Sequence, residues 1–452
     1  MIQKLLIANR GEIAVRIIRA AREMGIATVA VFSEIDADSM HVRLADEAIC
    51  IGPAPSVKSY LMVPNIIMAA KSSGADAIHP GYGFLAENAD FVRHCDEAGI
   101  IFVGPSADAI DRMGNKAQAR ATAQAAGVPV VPGSDGVVET AADAAQFADE
   151  VGYPVLIKAS AGGGGKGMRV AENADELEKQ FTAAKNEAAA AFGNDEAYLE
   201  KYLAKPRHVE FQVLADSAGN AVYLFERDCS IQRRHQKLIE EAPSPALTPQ
   251  LRKKMGEAAV ALVKAVDYVN AATVEFLLDK DGKFYFMEMN TRVQVEHPIT
   301  EQITGIDIIK EQLRIASGEP LSITQDDIEL DGHAIEFRIN AEDPAHDFRP
   351  NPGRIDQLIV PGGFGVRVDT HCYPGYLVPP TYDSMIAKLV IWAPTRDEAL
   401  ARGARALAEM IIDPIKTTIP FHQAALRVDD FIAGDVATDF IETHQIDIED
   451  EG

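Results

Sequence analysis

Basic side chains are in short supply in this 452-residue chain: 43 Lys and Arg stand against 68 Asp and Glu, a formal net charge of −25. A field of that sign repels a polyphosphate backbone and an anionic membrane, which argues against sequence-independent nucleic-acid binding. Any phosphate site must therefore be a local basic pocket in an acidic body. Cysteine is scarce as well. Cys50, Cys95, Cys229 and Cys372 show no C-x-x-C or zinc-ligand spacing, so a disulfide scaffold and a zinc module are excluded and reduced thiols are expected. No apolar run approaches the roughly 20 residues that span a bilayer. The opening MIQKLLIANRGEIAVRIIRAAREMG has too short an apolar stretch for a secretory signal and contains acidic residues foreign to a transit peptide. The expectation is a cytoplasmic protein with no membrane or nucleic-acid partner.

What the chain does have is an ordinary globular composition, 47% hydrophobic and 25% charged, enough for a sizeable core in two to four domains. Its first hundred residues alternate apolar strands with amphipathic helices. Strands are expected at Lys4–Ala8, Ala27–Phe32, Ala75–His79 and Ile101–Val103, and helices at Glu12–Met24, Pro64–Ser72 and Glu87–Ala98. That rhythm predicts an open, mostly parallel sheet, which binds ligands at the carboxyl ends of its strands. HPGYGFLAEN (79–88) is a glycine-rich loop at such an end, either a plain turn or part of a site. A helix over Ala117–Ala126 leads to a second unit, with strands at 151–160, 166–171 and 208–216 and a long helix over Ala174–Ala191. Beyond Gly332, strands are broken by Pro-Gly turns, and helices over Arg396–Ile412 and Thr418–Val428 close the chain.

GGGGKG (162–167) satisfies G-x-G-x-x-G, but MRVA continues it as a strand, whereas a dinucleotide fingerprint opens a helix. A Walker A loop fails too, because Gly167 rather than Ser or Thr follows Lys166. A hairpin lid remains, whose backbone N–H groups suit phosphates. Lys158 lies in the apolar strand VLIKAS and needs an anionic partner, a protein carboxylate or a nucleotide phosphate.

The strongest signal is TVEFLLDKDGKFYFMEMNTRVQVE (273–296). A two-residue Asp281-Gly282 turn would pair Lys280 with Lys283 and set Glu275 opposite Glu288. Like charges so paired are destabilising, and a divalent cation held by hard oxygens, Mg²⁺, would relieve them. Along the second strand, Glu288, Asn290, Arg292, Gln294 and Glu296 recur at every second position and should share one face, with Met287, Met289, Thr291, Val293 and Val295 packing inward. ERDCSIQRRHQKLIEE (226–241) gathers Arg227, Arg233, Arg234, His235 and Lys237 and reads as a basic rim flanked by Glu226, Glu240 and Glu241. His297 and Cys229 read as structural.

ANRGEIAVRIIRA, HPGYGFLAEN, KASAGGGGKGMRV, RDCSIQRRHQKLIEEAP, EMNTRVQVEHPITE, EFRINAEDP and PPTYDSMIAKL together resemble biotin carboxylase, an ATP-grasp enzyme, in order and to about residue 430. In extent the chain resembles the free-standing subunit, and no Met-Lys-Met biotin-attachment motif occurs. The resemblance implies an α/β protein of the ATP-grasp fold. Residues 1–113 would form a Rossmann-like parallel-sheet domain, 114–331 the ATP-grasp domain with a mobile lid at about 131–203, and 332–447 a C-terminal mixed β domain.

The resemblance also assigns roles. ATP would be held by Lys116, Lys158, Gly164, Gly165, Met168, Glu200, Lys201, Tyr202 and Leu203, and by His208, Gln232, His235 and Leu277. Glu275 and Glu288, with Asn290, would bind Mg²⁺ or Mn²⁺. Lys237, Arg292, Gln294 and Val295 would hold bicarbonate, with Glu296 as its base, and Arg338 and Tyr82 would serve biotin carried on a separate protein. Implied partners are a biotin carboxyl carrier protein or domain, a second copy of the chain and a separate carboxyltransferase. Arg19 and Glu23 on the first helix fit that dimer but equally an i,i+4 pair. At the tail, the T-x-F-I-E form around Thr438-Asp439 looks more like pyruvate or acyl-CoA carboxylases. Two rivals remain: an ATP-grasp amine ligase that activates bicarbonate or another carboxylate, and a non-catalytic ATP-binding scaffold.

Overall fold

The computed structural model describes residues 1–134, 136–159, 168–192, 195–444, 446 and 448. Gly164, Gly165 and Lys166 of the glycine loop lie outside the described residues. The chain divides into two compact units, one of residues 1–128, 207–276 and 288–452, the other of 129–206 and 277–287.

The larger unit opens with the expected parallel sheet. Its five strands run in the order Glu47–Gly52, Ala27–Ser33, Lys4–Ile7, Ala77–His79, Ile101–Phe102, all parallel. Helix Gly11–Glu23 turns Ile13, Ile17, Ala20 and Ala21 into the core. Its Glu23 pairs with Lys310 at 2.6 Å, so the Arg19–Glu23 pair is not the one formed. The third helix is shorter than its apolar pattern suggests. Asn88 caps Ala89–Ala98 by accepting from the Phe91 amide, which leaves Glu87 outside the helix.

From Arg207 onward the chain builds an eight-stranded sheet. Its order is Phe284–Asn290, Asn270–Leu278, Arg207–Ala215, Ala221–Arg233, Gln236–Ala242, His333–Asn340, Met385–Ala393, Val366–Thr370. Its central strands are buried on both faces; on the apolar one Ile335, Phe337, Leu389 and Ile391 pack under helix Arg396–Glu409. The hairpin joining the fourth and fifth strands turns on Arg234 and His235, both left-handed at φ 48° and 67°. Arg233 and Gln236 pair across it, the geometry of a two-residue turn matched to strand twist.

The smaller unit is a three-stranded antiparallel sheet, Met168–Ala171, Val155–Ala159, Ala197–Lys201. Val155, Ile157, Leu177, Phe181 and Leu199 form its core with helices Ala141–Val151 and Ala174–Phe192. This unit also holds the Asp281-Gly282 turn. The Asp279 amide bonds the Lys283 carbonyl at 2.8 Å and the Gly282 amide bonds the Asp279 carbonyl at 3.0 Å. The loop thus has three residues, with Gly282 at φ 75°, and Asp279 rather than Lys280 faces Lys283. Glycine supplies the left-handed residue that such a loop requires.

Phe337 is fully buried in the strand that carries Arg338 and lies edge-on to the His422 ring. Phe337→Ala should cost about 3–5 kcal/mol of stability, read as a lowered urea midpoint by circular dichroism.

Candidate active site

The eight-stranded sheet concentrates ionisable groups where a core would ordinarily be apolar. Lys237 is the centre. Its Nζ donates to Glu210 Oε2 at 2.5 Å and Glu296 Oε1 at 2.6 Å, and stands 3.2 Å from Glu275 Oε1. A buried ammonium is tolerated only when paired and hydrogen-bonded, and three carboxylates meet that need. Burial alone would lower the Lys237 pKa, but Cys229, Glu210, Glu275 and Glu296 raise it well above 10.5. Burial would raise Glu275 and Glu296; Lys237 and His208 hold the first well below the ordinary carboxylate range, and Lys237, Arg338 and Arg227 the second.

The row from 288 to 296 converges, though not by the expected route. The strand stops at Asn290, and a turn carries the chain to helix His297–Thr304. Alternation therefore fails past Asn290, and Met287 is partly exposed rather than packed inward, while Met289 and Val293 are buried. Convergence is achieved by side chains instead. Asn290 Nδ2 and Gln294 Nε2 both donate to Glu275 Oε1, at 2.8 and 2.7 Å. Arg292 donates from Nη2 to Asn290 Oδ1 at 2.9 Å and from Nε to Glu87 Oε2 at 2.9 Å. His208 Nε2 stands 2.8 Å from Glu275 Oε2. Although its side chain is exposed, desolvation and the charge of Glu275 raise the Glu288 carboxyl, against the pull of His208 and Lys116.

The supposed basic rim divides in two. Arg233 and Arg234 meet Asp347 at the surface, near exposed His235. Arg227 is fully buried and donates to Glu210 at 2.6 Å, Gln212 at 2.9 Å, Thr300 at 3.0 Å, Thr273 at 3.2 Å and Gln294 at 2.8 Å. It organises the centre instead of lining an edge, because Arg227 faces Glu210 in the strand register. Glu240 and Glu241 are likewise buried partners. Glu240 Oε1 and Glu296 Oε2 accept from Arg338, at 2.6 and 2.8 Å. Gln232 pairs with Lys237 across the hairpin, and Tyr82 donates its hydroxyl to Glu12.

In the smaller unit, Lys158 pairs with Glu200, the protein carboxylate that its strand position required. Met168 faces Lys158 in the register. Lys201 Nζ donates to the Gly152 carbonyl at 2.9 Å, the Tyr202 amide bonds the Pro154 carbonyl at 3.1 Å, and Leu203 follows. Leu277 is half-buried.

Sequence reasoning missed Glu210, Glu87 and the burial of Arg227. Glu210 had a signal: in HVEFQVLAD it shares a strand face with His208 and Gln212. Glu87 had none, since its role depends on a helix starting two residues later than its pattern suggests.

Arg227→Leu removes one of the two cations on buried Glu210 and leaves Oε1 unpaired, which should cost about 3–5 kcal/mol, read as a lowered urea midpoint. Glu240 is driven up to about 7, chiefly by burial, against the pull of Arg338. The folded state then keeps a proton that the unfolded chain releases, so this contribution to stability is lost as pH rises from 4.5 to about 7. Relative to the parent, Glu240→Gln should gain stability across that window, checked by urea midpoints along it.

Three family models cover most of the chain: "Biotin carboxylase, N-terminal domain" at residues 1–110, "Carbamoyl-phosphate synthase L chain, ATP binding domain" at 115–324, and "Biotin carboxylase C-terminal domain" at 336–443. Biotin carboxylase 1 of Bacillus subtilis is 60% identical over 447 residues, 99% of each chain. A pyruvate carboxylase subunit from Methanothermobacter thermautotrophicus is 55% identical, covering 100% of this chain and 92% of that one. The crystal structure of the biotin carboxylase domain dimer of Hydrogenobacter thermophilus 2-oxoglutarate carboxylase, in complex with MgADP, ADP and bicarbonate, superposes with a TM-score of 0.88 at 51% identity over 98% of both chains. Full-length identity at this level, on the sheets and buried ion network just described, leaves one conclusion: the chain belongs to the biotin carboxylases, ATP-dependent ligases of the ATP-grasp fold.

Proposed function

We propose that the protein activates bicarbonate with ATP to form carboxyphosphate and carboxylates biotin held on a carrier protein or domain. This is the first half-reaction of a biotin-dependent carboxylase such as acetyl-CoA carboxylase. The observation that carries the reading is Lys237, a largely buried cation that shares with Arg338 the carboxylate expected to act as base, Glu296.

Lys237, Arg292, Gln294 and Val295 are assigned to bicarbonate. With its field of cations, Glu296 is a weak base until an anion arrives. Bicarbonate competes for Lys237 and Arg338, which raises Glu296 toward the ordinary range and lets it take the bicarbonate proton. The freed oxygen forms a bond to the γ-phosphorus of ATP as the bond to ADP breaks. Carboxyphosphate then yields CO₂ and phosphate, phosphate removes the ureido N1 proton of biotin, and N1 attacks CO₂. Arg338 steadies the enolate oxygen of biotin, and Tyr82 lines its site. Lys116, His208, Gln232, His235 and Leu277, with Lys158, Met168 and Glu200 to Leu203 of the smaller unit, are assigned to ATP together with Gly164 and Gly165.

Glu275, Glu288 and Asn290 suit Mg²⁺ or Mn²⁺. They offer hard oxygens, and the charge of Glu275 already raises Glu288, a strain that a divalent cation relieves. The ion would neutralise charge on the transferred phosphoryl group.

Lying 60% identical to a biotin carboxylase and 55% to a pyruvate carboxylase component, the chain is assigned a separate carboxyltransferase, which selects the acyl acceptor. The dimer of the Hydrogenobacter relative supports a homodimer. Four unpaired cysteines suit a cytoplasmic location, and among the described residues no helix is long and apolar enough to cross a membrane.

ADP release with Mg²⁺, ATP and bicarbonate should rise strongly on adding free biotin and stop without bicarbonate or with the metal chelated. Turnover indifferent to biotin would favour the amine ligase, and ATP binding without turnover the scaffold. Arg292→Ala should lose at least ~3 kcal/mol of transition-state stabilisation, the scale of one preorganised donor, measured as kcat/KM for bicarbonate.

A further inference from the structure

A second buried lysine has no part in the assignments above. Lys388 sits in strand Met385–Ala393 with its side chain fully buried. Its Nζ donates to the Val295 carbonyl at 2.9 Å and lies 3.1 Å from Glu12 Oε2. Glu12, on the first helix, also accepts the hydroxyl of Tyr82. In the sheet, Lys388 faces Arg338 on one side and Asp369 on the other. The first helix and the turn that bears Glu296 thus meet at one ammonium, and the loop of Tyr82 joins through Glu12.

Glu336 and Asp369 are the other buried carboxyls near Lys388. Asp369 is taken up by Arg367 at 2.6 Å and neither oxygen of Glu336 has a hydrogen-bond partner, so Glu12, with an oxygen 3.1 Å from Nζ, is the carboxylate that faces the lysine at ion-pair distance. A methionine would fill the same space without a desolvation cost. What it cannot do is hold a carbonyl. The carbonyl in question belongs to the peptide joining Val295 to Glu296. That peptide is planar and trans, so fixing its C=O toward Lys388 directs the Glu296 N–H the opposite way.

We propose that Lys388, anchored by Glu12, is a positioning residue that clamps the Val295–Glu296 peptide and so fixes both the Glu296 carboxylate and its amide for the anion, linking this turn to Tyr82. The inference rests on the bicarbonate reading above for its catalytic meaning. The clamp itself is a property of the protein alone.

Two variants test it, Lys388→Met and the double variant Glu12→Gln with Lys388→Met. A misplacement of about 1 Å costs on the order of 100-fold, so Lys388→Met should lose about that in kcat/KM for bicarbonate while binding of an ATP analogue is unchanged. In the unliganded protein, amides of residues 291–297 should exchange faster with deuterium. The double variant, with no orphaned charge on Glu12, should regain thermal stability but not bicarbonate use. Parental bicarbonate kinetics in Lys388→Met would overturn the proposal. So would recovery of those kinetics in the double variant, or unchanged exchange in the turn. If the parent protein itself turns over ATP without bicarbonate, the functional reading fails, and the exchange measurement still decides the clamp.

Discussion

An ammonium sunk among Glu210, Glu275 and Glu296 sets the terms for everything around it. Each of those carboxylates is nearly or completely buried, and among the described residues Lys237 is the one cation that all three share. The lysine in turn is held charged by them. Arg227 and Arg338 then become necessary, since one cation cannot balance three anions, and each arrives with a fork of donors that satisfies the remaining oxygens. The result is a polar core inside a sheet, rigid because every member is held by several others. Preorganisation of this kind is what makes an electrostatic site effective, since its dipoles need not reorganise when a charged substrate develops further charge.

The fold explains how the network can exist at all. Adjacent strands bring Glu210 opposite Arg227 and Glu240 opposite Glu336 by register alone. The hairpin turning on Arg234 and His235 brings Lys237 level with Gln232 and its head within reach of Glu210. Asn290 ends its strand where a turn is needed, and the following residues fold back so that Gln294 and Glu296 reach the same centre. Apolar packing of Phe337, Leu389 and their neighbours below the sheet supplies the stability that a costly polar layer draws on.

How much of this could be read from residues alone depended on distance along the chain. The parallel sheet was legible because each strand and helix carries its own periodicity. That Glu275 gathers with Asn290 and Gln294 was legible because Glu275 and the 288–296 row lie within one short segment, even though the turn was read one residue too short and the strand too long. Local reasoning failed where burial is decided by remote partners. Arg227 looked like surface charge beside Arg233 and Arg234 because nothing in its neighbourhood announces Thr273, Gln294 or Thr300. Glu87 looked like the first turn of a helix until Asn88 took the capping position, which turned Glu87 toward Arg292. The short strand Glu47–Gly52 at the sheet edge is half exposed and has too weak an apolar pattern to stand out.

Chemically, the arrangement is suited to holding a small planar anion against a carboxylate base while a phosphoryl group is delivered to it. Measuring where the oxygen goes tests that directly. Bicarbonate labelled with oxygen-18 should transfer one labelled oxygen to the phosphate released during biotin-dependent turnover, because a bicarbonate oxygen becomes the bridge to phosphorus. Unlabelled phosphate, with ADP formed at the same rate, would mean that water attacks the γ-phosphorus and that the buried lysine network does not present bicarbonate as the nucleophile.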